Sequence, residues 1–277
     1  MAEIGKKNTL NVVRETDNGL YLDGEELGEI LMPKKYITEV VRNTNQATVF
    51  VYNDSEDRLV ATTEEPLAEL GDFAKLKVKA TTSFGAFLDW GLQKDLLVPF
   101  SEQKAKMKEG GEYVVYIYLD KQTSRVAASA KLDKFLDETY PGYQPGDEVK
   151  LFIAAETELG FKAIVDDKCW GMLYRNQLFQ PVLIGQQLTG YVNQIREDGK
   201  IDLLLEKPGY EKVDTISEKI LNELKANNGF MAVSDKTSPD MIKALFGISK
   251  KNFKKAIGKL YKQQQIEFVS DGIRLLK

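Results

Sequence analysis

Histidine is absent from the 277-residue sequence, and cysteine occurs once, as Cys169. Histidine is the commonest general acid or base and the commonest zinc ligand, so His-dependent catalysis and His-ligated zinc sites are excluded. A lone cysteine beside Trp170 is expected to be a small buried side chain. The sequence also lacks a GxxxxGK[ST] loop, a GxGxxG motif and a tight Asp/Glu motif. We therefore expect no enzymatic activity, no cofactor and no metal site.

Long apolar runs are missing as well. The most hydrophobic stretch, residues 96–100, is far too short to span a bilayer, and the first ten residues contain no apolar signal-peptide core. Hydrophobic residues make up 43% of the chain and charged residues 29%, which is typical of globular proteins. The sequence therefore predicts a folded cytoplasmic protein that does not contact the membrane.

The first half of the chain contains a repeat with an offset of about 66 residues, which indicates tandem domains. Three pairs of segments match in the same order: GLYLD at 19–23 and GAFLD at 85–89, ILMP at 30–33 and LLVP at 96–99, RLVAT at 58–62 and RVAAS at 125–129. A more divergent third copy begins at Gly146. In it, AIVD at 163–166 replaces the aromatic-Leu-Asp block, and the longer spacing predicts an insertion near Lys162.

Each copy has the pattern of a small all-β domain. Residues 73–79 alternate apolar and charged side chains with a period of two, as in a half-buried strand. Short strands separated by turns, in a unit of about 65 residues, fit a five-stranded OB barrel. With the breaks at Pro and Gly clusters, the predicted domains are three tandem barrels followed by a fourth domain: 1–66, 67–143, 144–209 and 210–277.

The C-terminal domain has helical periodicity from Glu211 onwards. Ser238 before Pro239 predicts a helix start, Gly247 its end, and Ser249 the N-cap of a second helix over 250–264. The three-residue corner between these helices is typical of a helix-turn-helix. A hairpin around Asp271 and Gly272 follows, so we predict an α+β winged helix. The whole chain is thus multidomain and mainly β.

The second barrel resembles the RNA-binding S1 domains of ribosomal proteins. The similarity rests on SFGAFLD at 83–89, LLVP at 96–99 and RVAASAK at 125–131. In that family aromatic, acidic and basic side chains line the RNA face, and the resemblance assigns these roles to Phe84, Phe87, Asp120 and Arg125. Family members commonly carry His where this chain has Pro99 and Pro33, and Asn18 replaces the first aromatic in barrel one.

Charge is distributed unevenly along the chain. Residues 1–69 carry 7 basic and 14 acidic side chains, whereas residues 210–277 carry 13 and 8. Because phosphate contacts dominate nucleic-acid affinity, the C-terminal domain is favoured as a binding surface and the first barrel is not. Helical geometry places lysines opposite Phe253, Ile257, Leu260 and Tyr261. The basic residues predicted to contact RNA are Lys75, Lys77, Lys251, Lys255, Lys259, Lys262 and Arg274.

Three S1-like barrels followed by a winged helix, together with LLVPFSE at 96–102, resemble the conserved virulence factor B family of bacterial RNA-binding regulators. The resemblance implies cytoplasmic RNA binding and control of gene expression. Our first hypothesis is a post-transcriptional regulator that binds single-stranded RNA through the second and third barrels and the winged helix. A DNA-binding transcription regulator acting through the winged helix is the alternative. A protein-docking winged helix and a magnesium-dependent ribonuclease also stay open, and the sequence supports the ribonuclease least.

Overall fold

The computed structural model describes residues 1–137, 142–207 and 213–276. Tyr140 and Pro141 of the predicted linker, the predicted boundary at 209/210 and the predicted helical start at Glu211 lie outside them. The predicted domain limits therefore stay predictions. The chain divides into two compact units, each treated by itself below: Met1–Glu138 with Asp167–Cys169, and Thr139–Asp166 with Trp170–Lys277.

Three five-stranded sheets follow one another, as the repeat predicts. The first contains β1 (Lys7–Thr16), β2 (Gly19–Asp23), β3 (Glu29–Pro33), β4 (Gln46–Asn53) and β5 (Leu59–Thr62). The second contains β6 (Phe73–Thr81), β7 (Gly85–Asp89), β8 (Leu96–Pro99), β9 (Glu112–Asp120) and β10 (Arg125–Ser129). The third contains β11 (Glu148–Glu156), β12 (Gly160–Val165), β13 (Cys169–Tyr174), β14 (Gln187–Ile195) and β15 (Ile201–Leu204).

All three sheets have the same strand order. The first and third are closed barrels, with the orders β1-β2-β3-β5-β4 and β11-β12-β13-β15-β14. The second has the equivalent order β10-β9-β6-β7-β8, and its hydrogen-bond ladder is open between β8 and β10. On β6, apolar side chains face the interior and lysines face outwards, in line with the predicted period of two.

A glycine at the start of the second strand shows which positions of the three barrels are equivalent. Gly19, Gly85 and Gly160 begin the second strand of each barrel with φ of 148°, 154° and 151°. A Cβ at these positions would lie 2.1, 2.2 and 2.0 Å from a carbonyl oxygen of the neighbouring strand, so only glycine fits. The third copy therefore aligns on Gly160. The predicted insertion near Lys162 is wrong, because that prediction aligned the aromatic-Leu-Asp block rather than the glycine.

A short helix in the first barrel was not predicted. Helix α1 (Glu39–Thr44) lies between β3 and β4 and begins at the N-cap Thr38, whose side chain accepts a hydrogen bond from Val41 N–H. Six residues are too few to produce a recognisable helical period, which explains the omission. Asn45 ends the helix in the left-handed conformation.

The first two barrels share a hydrophobic core. Phe50 and Tyr52 of β4 are 1% and 5% exposed and pack with Trp90 and Leu88 of the second barrel. The rings of Phe50 and Trp90 meet edge to face at 5.6 Å. Leu67 N–H donates to the Trp90 carbonyl oxygen at 2.7 Å, and this hydrogen bond holds the segment between β5 and β6 against the second barrel. The two barrels thus pack as one body.

The C-terminal domain has the predicted winged-helix elements. It contains α2 (Val213–Ala226), β16 (Phe230–Met231), α3 (Pro239–Phe246), α4 (Lys250–Lys262), β17 (Ile266–Val269) and β18 (Gly272–Leu275). Ser238 and Ser249 are the N-caps, and Gly247 ends α3 in the left-handed conformation, as predicted. The sequence did not predict β16, a two-residue strand that pairs with β18.

Candidate nucleic-acid interface

The four residues assigned by the S1 resemblance lie together. Phe84, Phe87, Asp120 and Arg125 all line one cleft of about 420 Å³. Phe84 precedes β7 in a turn and is 73% exposed, whereas Leu88 points into the barrel and is fully buried. Because side chains alternate along a strand, Phe87 faces outwards, where it is half-buried.

The charged members of this group already have partners. The Arg125 guanidinium donates to Oδ2 of Asp57, which belongs to the β4–β5 loop of the first barrel. The Thr123 hydroxyl donates to Asp120 Oδ2 at 2.7 Å, and Gln122 N–H donates to Oδ1 at 3.1 Å. These hydrogen bonds, with that of Thr123 the largest cause, hold the pKa of Asp120 below its usual value. Asp120 therefore anchors the β9–β10 turn as an ionised carboxylate.

Sequence reasoning missed the residues that the junction of the two barrels adds to this cleft. Tyr52 and Asn53 of the first barrel line it, as does Lys94 of the second. Burial raises the pKa of Tyr52 to about 12, so its hydroxyl keeps its proton. Burial also lowers the pKa of Lys94, whose ammonium donates to the Asp54 carbonyl oxygen at 2.6 Å. No local pattern could reveal these residues, because the contact depends on domain packing.

Two predicted basic residues lie elsewhere on the second barrel. Lys75 and Lys77 are exposed on the outer side of β6 and do not line the cleft. The Lys75 ammonium lies 2.6 Å from Glu112 Oε2 on the neighbouring strand β9. The pKa of Glu112 is lowered by the hydrogen bond from Lys75, with a smaller contribution from Lys77. The structure thus does not bring these two lysines together with the aromatic pair.

Helix α4 presents one apolar and one basic side. Phe253, Ala256, Ile257 and Leu260 are buried in the core of the domain. Lys251, Lys255 and Lys262 are exposed and Lys259 is half-buried, so the predicted lysine cluster lies on the side away from the core. Neighbouring Lys254 is 3.8 Å from Asp235 Oδ2.

The hairpin adds an aromatic pair beside these lysines. Tyr261, which the helical period placed on the apolar side of α4, lies at the edge of that side and is 54% exposed, and it packs on Phe268 of β17 with ring centroids 5.0 Å apart. Arg274 of β18 is exposed, and its guanidinium lies 3.8 Å from Glu267 Oε1 on the paired strand. Spacing along α4 alone could not distinguish an edge position from a core position.

The third barrel has a polar network where the second has apolar residues. With Gly160 as the reference, Lys162 occupies the position of Phe87, and its ammonium lies 3.9 Å from the centre of the Trp170 ring. Asp202 is 4% exposed, and it accepts hydrogen bonds from Gln194 Nε2 at 2.7 Å and from the Tyr174 hydroxyl at 3.3 Å. Arg196 Nε lies 3.0 Å from the same carboxylate. This buried carboxylate is thus fully hydrogen-bonded and charge-paired.

Comparison with protein families gives matches along most of the chain. The S1 domain model matches residues 4–64 and 70–130, and the CvfB-like winged helix domain model matches residues 218–275. A protein named conserved virulence factor B from Staphylococcus saprophyticus is 26% identical over 243 residues, which cover 82% of this chain and 78% of the relative. The chain thus carries S1 domains and a CvfB-like winged helix domain, and most of its length is similar to conserved virulence factor B proteins.

Other relatives are similar over nearly the full length. Uncharacterized protein YitL of Bacillus subtilis is 28% identical over 273 residues, which cover 95% of this chain and 90% of that protein. A crystal structure of a Streptococcus pneumoniae multidomain protein with nucleic acid binding domains covers 99% of this chain at 25% identity and a TM-score of 0.41. The S1 and winged-helix domain matches indicate that this chain binds nucleic acid.

Among residues 1–137, 142–207 and 213–276, no three His, Cys, Asp or Glu side chains are grouped closely enough to hold a metal ion. No helix in the same ranges is long and apolar enough to cross a membrane. Cys169 is buried, as the sequence predicted.

Proposed function

We propose that this protein is a non-enzymatic regulator that binds single-stranded RNA in the cytoplasm and controls gene expression after transcription. The observation that carries the proposal is the cleft in which exposed Phe84 and half-buried Phe87 lie beside Arg125. Exposed aromatic rings stack on unpaired bases whatever the sequence, whereas the bases of a duplex are already stacked on each other. An accessible aromatic pair therefore favours a single strand.

The winged helix supplies the positive charge that the barrels lack. Lys251, Lys255 and Lys262 project from α4 on the side away from the core. Lysine suits phosphates as a point charge, whereas reading base edges in a major groove favours Arg, Asn and Gln. Asn252, the one such residue within α4, is only half-exposed. The helix is therefore better suited to hold an RNA backbone than to read duplex DNA.

Replacement of Lys251, Lys255 and Lys262 by Glu tests this assignment. We expect the affinity for a short unstructured RNA, measured by fluorescence anisotropy at moderate salt, to fall at least a hundred-fold, because three phosphate contacts become repulsions. A control variant with the same change in net charge replaces the exposed lysines Lys34, Lys225 and Lys236 by Glu. Unchanged affinity in the variant of Lys251, Lys255 and Lys262 would instead support a winged helix that docks protein, and equal losses in the two variants would show that only net charge matters.

Competition between single-stranded RNA and duplex DNA separates the proposal from its alternative. RNA should displace bound DNA at equal nucleotide concentration, because only the single strand offers bases to Phe84 and Phe87. Preference for the duplex would favour a DNA-binding transcription regulator. Magnesium-dependent loss of the RNA during the assay would revive the ribonuclease.

A further inference from the structure

The cleft next to Phe84 is built from two barrels rather than one. Tyr52 and Asn53, at the end of β4 in the first barrel, line it opposite residues of the second barrel. The shared core around Phe50 and Trp90 fixes this wall in place. With a volume of about 420 Å³, the cleft lies in the size range of small-ligand sites and has room for a nucleobase.

The side chain of Asn53 carries an unsatisfied acceptor at this wall. Its Oδ1 is buried and has no hydrogen-bond donor among the residues that the structure describes. Its Nδ2 makes only a long contact of 3.5 Å with the Asp57 carbonyl oxygen. Buried acceptors are nearly always paired in native proteins, so an orphaned one at the wall of a cleft points to a missing partner. Because this long contact is the only hydrogen bond that the described residues make to the amide, and χ2 of asparagine is a soft torsion, the amide can turn when a ligand enters the cleft.

The chemistry around Asn53 fits a base better than a phosphate. Contacts to phosphate need positive charge, whereas contacts to base edges need paired donors and acceptors. The loop next to Asn53 is acidic, since Asp54, Glu56 and Asp57 follow it. Phe84 and Phe87 offer ring surface in the same cleft, and Lys94 offers one ammonium donor.

We propose that this cleft holds one unpaired nucleobase of a single-stranded RNA, stacked on Phe84 and Phe87, with Asn53 Oδ1 accepting an N–H from the base edge. The acidic first barrel is then part of the RNA site, because it contacts the base and not the backbone. This inference rests on the proposed RNA binding and extends it to base selection by a residue of the first barrel.

The test compares the full-length protein with its Asn53→Ala variant for binding to twelve-nucleotide oligo(A), oligo(C) and oligo(U). Removing a base-edge contact should reduce the ratio between the best-bound and worst-bound oligomer at least three-fold. The salt dependence should not change, because no phosphate contact is lost. Asn11→Ala, at an exposed asparagine of β1 outside the cleft, is the matched control.

Should the alanine variant fail to fold, Asn53→Leu keeps the side-chain volume without polar atoms and should lose the same base preference. Unchanged ratios in both Asn53 variants, with RNA binding intact, would overturn the composite base site alone. Failure of the wild-type protein to bind any of the three oligomers would overturn the proposed function as well, so the two failures are distinguishable.

Discussion

The first and second barrels have the same scaffold and different outer faces. Gly19 and Gly85 occupy the same strained position, each paired across the sheet with a proline, Pro33 or Pro99. On the face, however, Asn18 stands where the second barrel has Phe84. Backbone geometry therefore constrains the repeat at the glycine, whereas the outward side chains are free to differ.

The remaining aromatic of the first barrel is also less available. Tyr21, which corresponds to Phe87, is covered by the guanidinium of Arg14 at 3.8 Å, and Arg14 is ion-paired with Glu29 at 2.7 Å. Phe84 by contrast is 73% exposed. A barrel can therefore keep its fold and lose its stacking surface when one aromatic residue is replaced, as at Asn18, and the other is covered, as Tyr21 is by Arg14.

The largest expected effect tests the shared scaffold. Gly19→Ala and Gly85→Ala should each destabilise the protein by about 3 kcal/mol or more, since a Cβ would meet a carbonyl oxygen at a φ that other residues rarely adopt. Denaturant unfolding measures the loss. Gly110→Ala, at a positive φ with open space around the Cβ, is the control and should cost about 1–2 kcal/mol. A small loss of stability at only one of these two glycines would show that the two positions are not equivalent.

The second prediction tests the difference between the faces. Phe84→Ala should weaken binding of single-stranded RNA about ten-fold, because a stacked base contributes about 1–3 kcal/mol. Tyr21→Ala should leave binding within two-fold. Phe100→Ala removes another exposed ring of the second barrel that does not line the cleft, and it serves as the control. A larger loss from Tyr21→Ala than from Phe84→Ala would reverse the assignment.

The smallest expected effect concerns the contact between the two barrels. Asp57→Asn should raise RNA affinity two- to five-fold, because Arg125 would become available to phosphate at the cost of an exposed ion pair worth about 0–1 kcal/mol. Asp17→Asn changes the net charge equally in an exposed loop of the first barrel. An equal gain in both variants, measured by fluorescence anisotropy at fixed salt, would show that net charge and not this contact restrains binding.

Local patterns in the sequence predicted most of the fold. Period-two alternation located β6, Ser-Pro and Gly located α3, and the helical period located the buried side of α4. Each of these features depends on about ten consecutive residues, so it can be predicted from the sequence alone. The third repeat was placed out of register because its side chains diverge, and the φ of Gly160 together with the close approach of a neighbouring carbonyl oxygen identifies the equivalent position.

The candidate site was only partly predictable for a different reason. Phe84, Phe87, Asp120 and Arg125 carry a motif within one barrel, and the structure brings them to one cleft. The wall formed by Tyr52 and Asn53, and the contact from Asp57 to Arg125, depend on how two barrels pack. The spacing of residues in the sequence does not predict how the two barrels pack.

Ultraviolet crosslinking of a short single-stranded RNA to the intact protein, with mass spectrometry of the modified peptides, tests the central claim most directly. We expect crosslinks at Phe84 and Phe87, at Tyr52 and Asn53 across the cleft, and along α4. Crosslinks at the Tyr21 face of the first barrel, with none at Phe84 or α4, would contradict the division of roles between the barrels.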